Sequence, residues 1–298
     1  MPLILHIGLP KTGTTYLQKT FDGARAPLRE SGFVYPDSGY YNHQIAWYEP
    51  IGPHLPWSAK PGLPERWQSL QQVLAQEDGL PTLISAEALS ALTPAGVSIV
   101  KARVAARRVD RIIITSRSLS LSLPSYWQQN LKQGALEDLE TFAEDALRTI
   151  EEGRAPGAMY SHGRTVQVWR HVFDETPISV LPMGSNFTAN LRRFADLCAL
   201  DQRQVDLLCG HVPSASQQNL SFSVDECSKL LRINERVAAG RFDAAARRRA
   251  MRIFFSQRDD GLSYEKPRLS SRLAKHATRL DAWADTIVRQ IPGCELVS

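Results

Sequence analysis

The sequence predicts a three-layer α/β fold, with a mainly parallel central sheet and helices on both faces. Three observations carry this. Four short apolar runs, near 3–7, 82–85, 111–115 and 177–181, have the length and composition of buried strands. Segments with helical apolar spacing separate them, so each strand leads into a crossover and not a hairpin. From about residue 200 to 298 helical patterns dominate, which makes the C-terminal part helix-rich.

Bulk composition agrees with a packed chain. Of 298 residues, 43% are hydrophobic and 22% charged, enough apolar matter for a core and too little charge for general disorder. Residues 1–298 read as a single domain. The net charge of +4 suits an anionic ligand and gives no footprint for nucleic acid, so no nucleic-acid partner is expected. Cys198, Cys209, Cys227 and Cys294 are scattered with no metal-ligand spacing. They read as free thiols, and no metal is expected. No apolar run approaches the ~20 residues that span a bilayer, and no signal-peptide pattern precedes the first strand. The expected location is the cytoplasm, with no membrane span.

The first element sets the theme. Leu3–Ile7 is an apolar run with His6 as its one polar residue. Gly8-Leu9-Pro10 breaks it, Lys11-Thr12-Gly13-Thr14-Thr15 follows, and Tyr16, Leu17 and Phe21 then fall at helical spacing, so a helix begins near Thr14. A strand, a glycine-bearing loop with a lysine, and a helix form a cradle for an anion: loop amides and the positive helix end point to one place. In a Walker A loop the lysine directly follows the second glycine. Here Thr14 holds that position and the lysine lies inside the loop, at Lys11.

Gly32–Pro36 is a short extended piece. Residues 36–64 are rich in Pro, Gly and aromatics, including Asn42-His43, Trp47, Tyr48 and Trp57. Little regular structure beyond a short helix is expected there. Two readings stand open: a lid facing a substrate, or a loop pinned to the core by its aromatics. His43 is a candidate for acid/base or substrate contact. Pro64–Gln76 carries a helical stripe of Trp67, Leu70, Val73 and Leu74, with Pro64 in the first turn. The strand 82–85 follows, and Glu87 sits just past its end, on the edge where open α/β sheets bind ligands. Glu87 reads either as a functional carboxylate or as a cap for the next helix.

A helix from Thr93-Pro94 to Arg108 shows a basic outer face of Lys101, Arg103, Arg107 and Arg108, read as solvated. The strand Ile112–Thr115 comes next and ends in Ser116-Arg117. A new helix is expected from Ser122–Pro124, with Pro124 at the first helical position and Ser122 or Leu123 as cap. Ser125 then lies in its first turn, eight residues after Arg117. A guanidinium fork, a hydroxyl and a helix N-terminus match the needs of a phosphate. Helices are also expected over Leu136–Ile150, Tyr160–Phe173, Thr188–Cys198, Val224–Asn234, Ala238–Phe255 and Ser271–Ile291. A polar connection, 256–270, precedes the last one.

The Pro10–Thr15 loop and the Arg117…Ser125 pair resemble the two nucleotide-binding motifs of bacterial sulfotransferases that use 3′-phosphoadenosine 5′-phosphosulfate (PAPS). The resemblance implies a P-loop NTPase-like fold. It implies that Pro10, Lys11, Thr12, Gly13, Thr14 and Thr15 hold the 5′-phosphosulfate, and that Arg117 and Ser125 hold the 3′-phosphate. It implies PAPS as donor, adenosine 3′,5′-bisphosphate (PAP) as product, and no metal. Lys11 would stabilise charge on the bridging oxygen. The base that takes the acceptor's proton would be Glu87, with His43 as the alternative. In this family a basic C-terminal loop often covers the 3′-phosphate; Lys266, Arg268, Arg272 and Lys275 are the candidates. The acceptor is expected to be a hydroxyl on a carbohydrate, a lipid head group or a small molecule, less readily an amine. Two other classes remain at this point: an ATP-dependent P-loop kinase of small molecules, and a non-catalytic nucleotide-binding protein. The oligomeric state is not legible.

Overall fold

The computed structural model describes residues 2–57, 63–76, 79–154, 157–213, 221–256 and 265–297. Strand β1 (Pro2–His6) leads through the glycine loop into α1 (Thr14–Gly23) and α2 (Arg25–Glu30). Helices α3 (Gln44–Ile51) and α4 (Pro64–Ala75) precede β2 (Thr82–Ser85). Then come α5 (Pro94–Arg103), β3 (Arg108–Ser116), α6 (Leu119–Gln133), α7 (Leu139–Glu152) and α8 (His162–Val172). Strand β4 (Ile178–Pro182) is followed by α9 (Phe187–Leu197), α10 (Gln202–Gly210), α11 (Val224–Ala238), α12 (Ala244–Ser256), α13 (Ser271–Gln290) and β5 (Cys294–Leu296).

Among the described residues the strands form one five-stranded sheet in the order β2-β1-β3-β4-β5. Every pairing in it is parallel. Such a sheet is buried on both sides, which is why its strands read as continuous apolar runs. Alternation along each strand sorts the side chains into two cores. Leu3, Leu5, Ile7, Ile112, Ile114, Ile178 and Val180 pack with side chains of α3, α4, α5 and α8. Ile4, Leu83, Ile113 and Leu181 pack on the other side with α1, α2, α9 and α10. A third cluster contains no strand residue and joins α6, α7, α11, α12 and α13 through Leu123, Trp127, Leu131, Leu147, Phe222, Leu230 and Leu273.

Several expectations are corrected. Helix α6 starts at Leu119, not near Pro124, and Pro124 lies inside it. Its first amide has a partner from a remote helix: Leu119 N–H donates to Asp281 of α13 at 3.0 Å. Pro124, the sixth residue of the helix, has no amide hydrogen and removes one hydrogen bond from the helix interior. Ser125 therefore sits in the second turn. Arg107 is not on a solvated face. It is 5% exposed and donates to the carbonyls of Val73, Leu74, Gln76 and Leu80 and to Thr82 Oγ1, closing the C-terminus of α4. Of the two readings of the 36–64 segment, Trp47 supports the pinned one, being fully buried and 5.0 Å from Trp67, ring to ring, while Tyr40 is exposed. Part of that segment (58–62) and most of the 256–270 connection (257–264) lie outside the described residues.

Candidate functional site

The loop between β1 and α1 runs along the C-terminal edge of the sheet because β3 holds it there. Ile7 N–H donates to Ile113 O and Leu9 N–H to Thr115 O, both at 2.9 Å. Gly8 has no room for a side chain: a Cβ would lie 2.2 Å from Thr115 Oγ1 and 2.3 Å from Thr14 Cγ2. Lys11 and Gly13 both take left-handed backbone, with φ of 65° and 92°, so the loop turns sharply twice within three residues. No side chain caps α1, whose N-cap is Gly13. Tyr16 N–H donates to Gly13 O at 3.0 Å, and the amides of Thr14 and Thr15 before it face the space in front of the helix.

Beneath the loop lies a buried polar chain whose donors all run one way. Ser85 Oγ accepts from Gln18 Nε2 at 2.9 Å and donates to His6 Nδ1 at 2.8 Å. His6 Nε2–H donates to Thr115 Oγ1 at 3.1 Å. Thr115 donates to Thr12 Oγ1 at 3.2 Å, and Thr12 donates to Leu9 O at 2.7 Å. Every link uses a neutral His6, and burial pushes the His6 pKa down to about 3. The chain fixes the loop to β1, β2 and β3 without placing a charge below it.

In front of the loop opens a cavity of ≈ 590 Å³. Lys11, Thr12, Gly13, Thr14 and Thr15 form one end of its lining. Arg117 and Ser125, which the sequence places about a hundred residues later, open into the same cavity, and so does Glu87. Pro10 lies behind, lining a small crevice with Leu9, Thr12, Arg117 and Tyr126. The Lys11 ammonium donates to Gln129 Oε1 at 3.1 Å, and Arg117 Nη1 reaches Lys11 O at 3.5 Å. Ser125 Oγ donates to Leu121 O at 3.3 Å, a long bond that a stronger acceptor would displace.

The charges are unbalanced by burial. Desolvation pushes the Lys11 pKa down, opposed by the Glu87 carboxylate. It pushes Glu87 up to about 7, opposed by Lys11. Arg117 is likewise lowered by burial. Glu87 is the first residue of the 3₁₀ turn Glu87–Ala91, whose N-cap is Ala86. It lines the cavity and caps no helix.

His43 is placed elsewhere. It is fully buried and does not line the cavity. Its Nδ1 accepts the Ser85 N–H at 2.9 Å, and its Nε2–H donates to Pro36 O at 3.0 Å. Burial lowers its pKa to about 4. Both ring nitrogens are committed to main chain, so His43 is corrected from candidate base to a pin between the 36–43 loop and β2. Lys266, Arg268, Arg272 and Lys275 do not line the cavity either; Arg272 pairs with Glu144 of α7. Among the described residues, the cations that do line it, beside Lys11 and Arg117, are Lys19 and Lys132. Their signal was helical register. Lys19 lies one turn after Thr15 on α1, and Lys132 two turns after Ser125 on α6, each on the ligand-facing side. Leu121, Met183 and Phe187 add apolar wall, with Phe187 5.0 Å from the Tyr16 ring.

No protein-family model matches the chain, and no curated protein matches it. Among solved structures it is similar to a sulfotransferase from Alicyclobacillus acidocaldarius, with a TM-score of 0.46 and 14% identity. The match covers 83% of this chain and 99% of that one. Among the described residues no helix is long and apolar enough to cross a membrane.

Proposed function

We propose that the chain is a PAPS-dependent sulfotransferase that transfers the sulfuryl group to a hydroxyl acceptor. One observation carries the proposal: the Lys11–Thr15 loop and the Arg117/Ser125 pair, far apart in sequence, line one cavity of a size suited to a nucleotide. The uncapped start of α1 and the loop amides suit the 5′-phosphosulfate, and the guanidinium and hydroxyl on and before α6 suit the 3′-phosphate. The apolar wall of Leu121, Met183 and Phe187 offers a surface for the base between them.

In this reading the acceptor oxygen attacks sulfur in line while the bond from sulfur to the bridging oxygen breaks, and PAP leaves. Negative charge grows on that bridging oxygen. Lys11, held inside the loop and partly desolvated, meets it there, where an ammonium is worth more than in water. The acceptor's proton passes to Glu87. A carboxylate with a pKa near 7 is a competent base at neutral pH and a stronger one than an ordinary glutamate. The acceptor belongs to the class of carbohydrates, lipid head groups and small hydroxylic molecules.

A kinase reading predicts a lysine after Gly13 and an aspartate closing the β3 strand. The chain has Thr14 there, and β3 closes in Thr115-Ser116. The test is a thermal-shift comparison: PAP should raise the melting temperature, and ATP with magnesium should not. Turnover of labelled PAPS with a hydroxylic acceptor panel then reads the reaction. Stabilisation by ATP–magnesium and not by PAP would replace this reading with the kinase one.

A further inference from the structure

Two adjacent glutamines on α6 line the cavity and hold different partners. Gln128 reaches the segment before α11, where its Oε1 accepts the Phe222 N–H at 2.8 Å. Gln129 turns to the cavity and accepts from the Lys11 ammonium at 3.1 Å. We propose that Gln129 is a positioning residue for Lys11, holding its ammonium away from Glu87 and tying the phosphate loop to α6. The inference rests on the sulfotransferase reading for its consequence in catalysis, but the tether itself does not need it.

The physical case has three parts. Lys11 is placed by a backbone conformation that side-chain-bearing residues seldom adopt, φ 65°, and its carbonyl meets Arg117. The stem is therefore fixed, while the four-carbon chain beyond it keeps rotational freedom. Among the described residues Glu87 is the only carboxylate lining the same cavity, and it attracts the ammonium. Left to that attraction, the two would close into an ion pair across the cavity. The lysine would then be spent on neutralising the base, and the base on neutralising the lysine. A neutral amide oxygen resolves this. It gives the ammonium a hydrogen bond without cancelling its charge, so the charge stays available to an incoming anion. A carboxylate at the same position would hold the lysine as well and quench it.

Competitive acetylation of the ligand-free protein, followed by peptide mass spectrometry, reads the titration of Lys11 directly. In Gln129→Leu the Lys11 midpoint should move up, because the ammonium relaxes onto Glu87. In Gln129→Leu/Glu87→Gln that rise should vanish. A midpoint that stays put or falls in Gln129→Leu overturns the proposal, and so does a rise that survives in the double variant. Should the leucine variant not fold, Gln129→Met, of similar length and also without a strong acceptor, is read in its place. With the proposed substrates, Gln129→Leu should lower kcat about tenfold while PAP affinity stays within about twofold, the pattern of a misplaced electrophile. Absence of PAP binding in the wild type would remove the sulfotransferase reading and leave the acetylation result to judge Gln129 by itself.

Discussion

Glu87→Gln should separate stability from function in opposite directions. The carboxyl's pKa is raised from 4.5 to about 7, chiefly by burial. At one pKa unit per about 1.4 kcal/mol, keeping Glu87 ionised in the folded protein costs up to about 3 kcal/mol, with partial solvent access reducing the figure. The sign follows from proton counting. Between pH 4.5 and 7 the native state holds a proton that the unfolded chain has released, so stability falls as pH rises across that window. Above pH 7 both states are ionised and the full penalty applies. Glu87→Gln removes the penalty. Denaturant unfolding should show the variant more stable than wild type by about 1–3 kcal/mol at pH 8, with the advantage shrinking toward zero near pH 4.5. Sulfuryl transfer should be abolished in the same variant while PAP still binds. In the wild type, kcat/KM should drop about tenfold per pH unit below 7 as the base becomes protonated. A variant less stable than wild type at pH 8, or with a pH-independent difference, would refute the burial argument. Retained transfer would refute the role as base.

Lys11→Ala should leave unfolding midpoints nearly unchanged and reduce turnover about a hundredfold or more, as loss of one preorganised charge at a transition state does; near-normal single-turnover rates would count against it. Arg117→Ala should weaken PAP binding about thirtyfold while leaving adenosine 5′-phosphate binding nearly unaffected, by calorimetry; equal losses would confine Arg117 to supporting the loop. Gly8→Ala should destabilise by about 3 kcal/mol or more, since the added carbon overlaps Thr115 and Thr14 in a packed site; a wild-type melting temperature would contradict the geometry. His43→Ala should cost about 3 kcal/mol through a cavity and two lost hydrogen bonds, with the kcat of the folded protein retained; loss of turnover in a stable His43→Ala protein would return His43 to the chemistry.

What the sequence made legible was local. The Leu3–Thr14 stretch carries its strand, its turns and its helix start within a dozen residues, and its placement follows from backbone rules alone. Glu87 could be placed because a strand end in a parallel sheet is a ligand-facing edge. The misreadings each involve a partner far along the chain. Pro124 fits the first turn of a helix by itself; the helix starts earlier because Asp281, 162 residues away, meets the amide of Leu119. Arg107 reads as surface until Leu74 and Thr82 are seen around it. His43 looks like a free imidazole in a loop because its partners are main-chain atoms, which leave no pattern in side-chain identity. Strand β5 is only three residues long and follows α13 with no apolar run to announce it.

The third hydrophobic cluster bears on how the cavity is maintained. One wall is built from the loops that follow β1, β2 and β4, while the wall that carries Ser125, Gln129 and Lys132 is rooted in a cluster that contains no strand residue. Helix α13 links the two supports, with Leu273 and Leu280 in that cluster and Val288 in the core against the sheet. Loosening that cluster, at Leu147 for instance, should move the α6 wall against the loop at Lys11, which β3 holds in place, and so change the span open to a nucleotide in the proposed site.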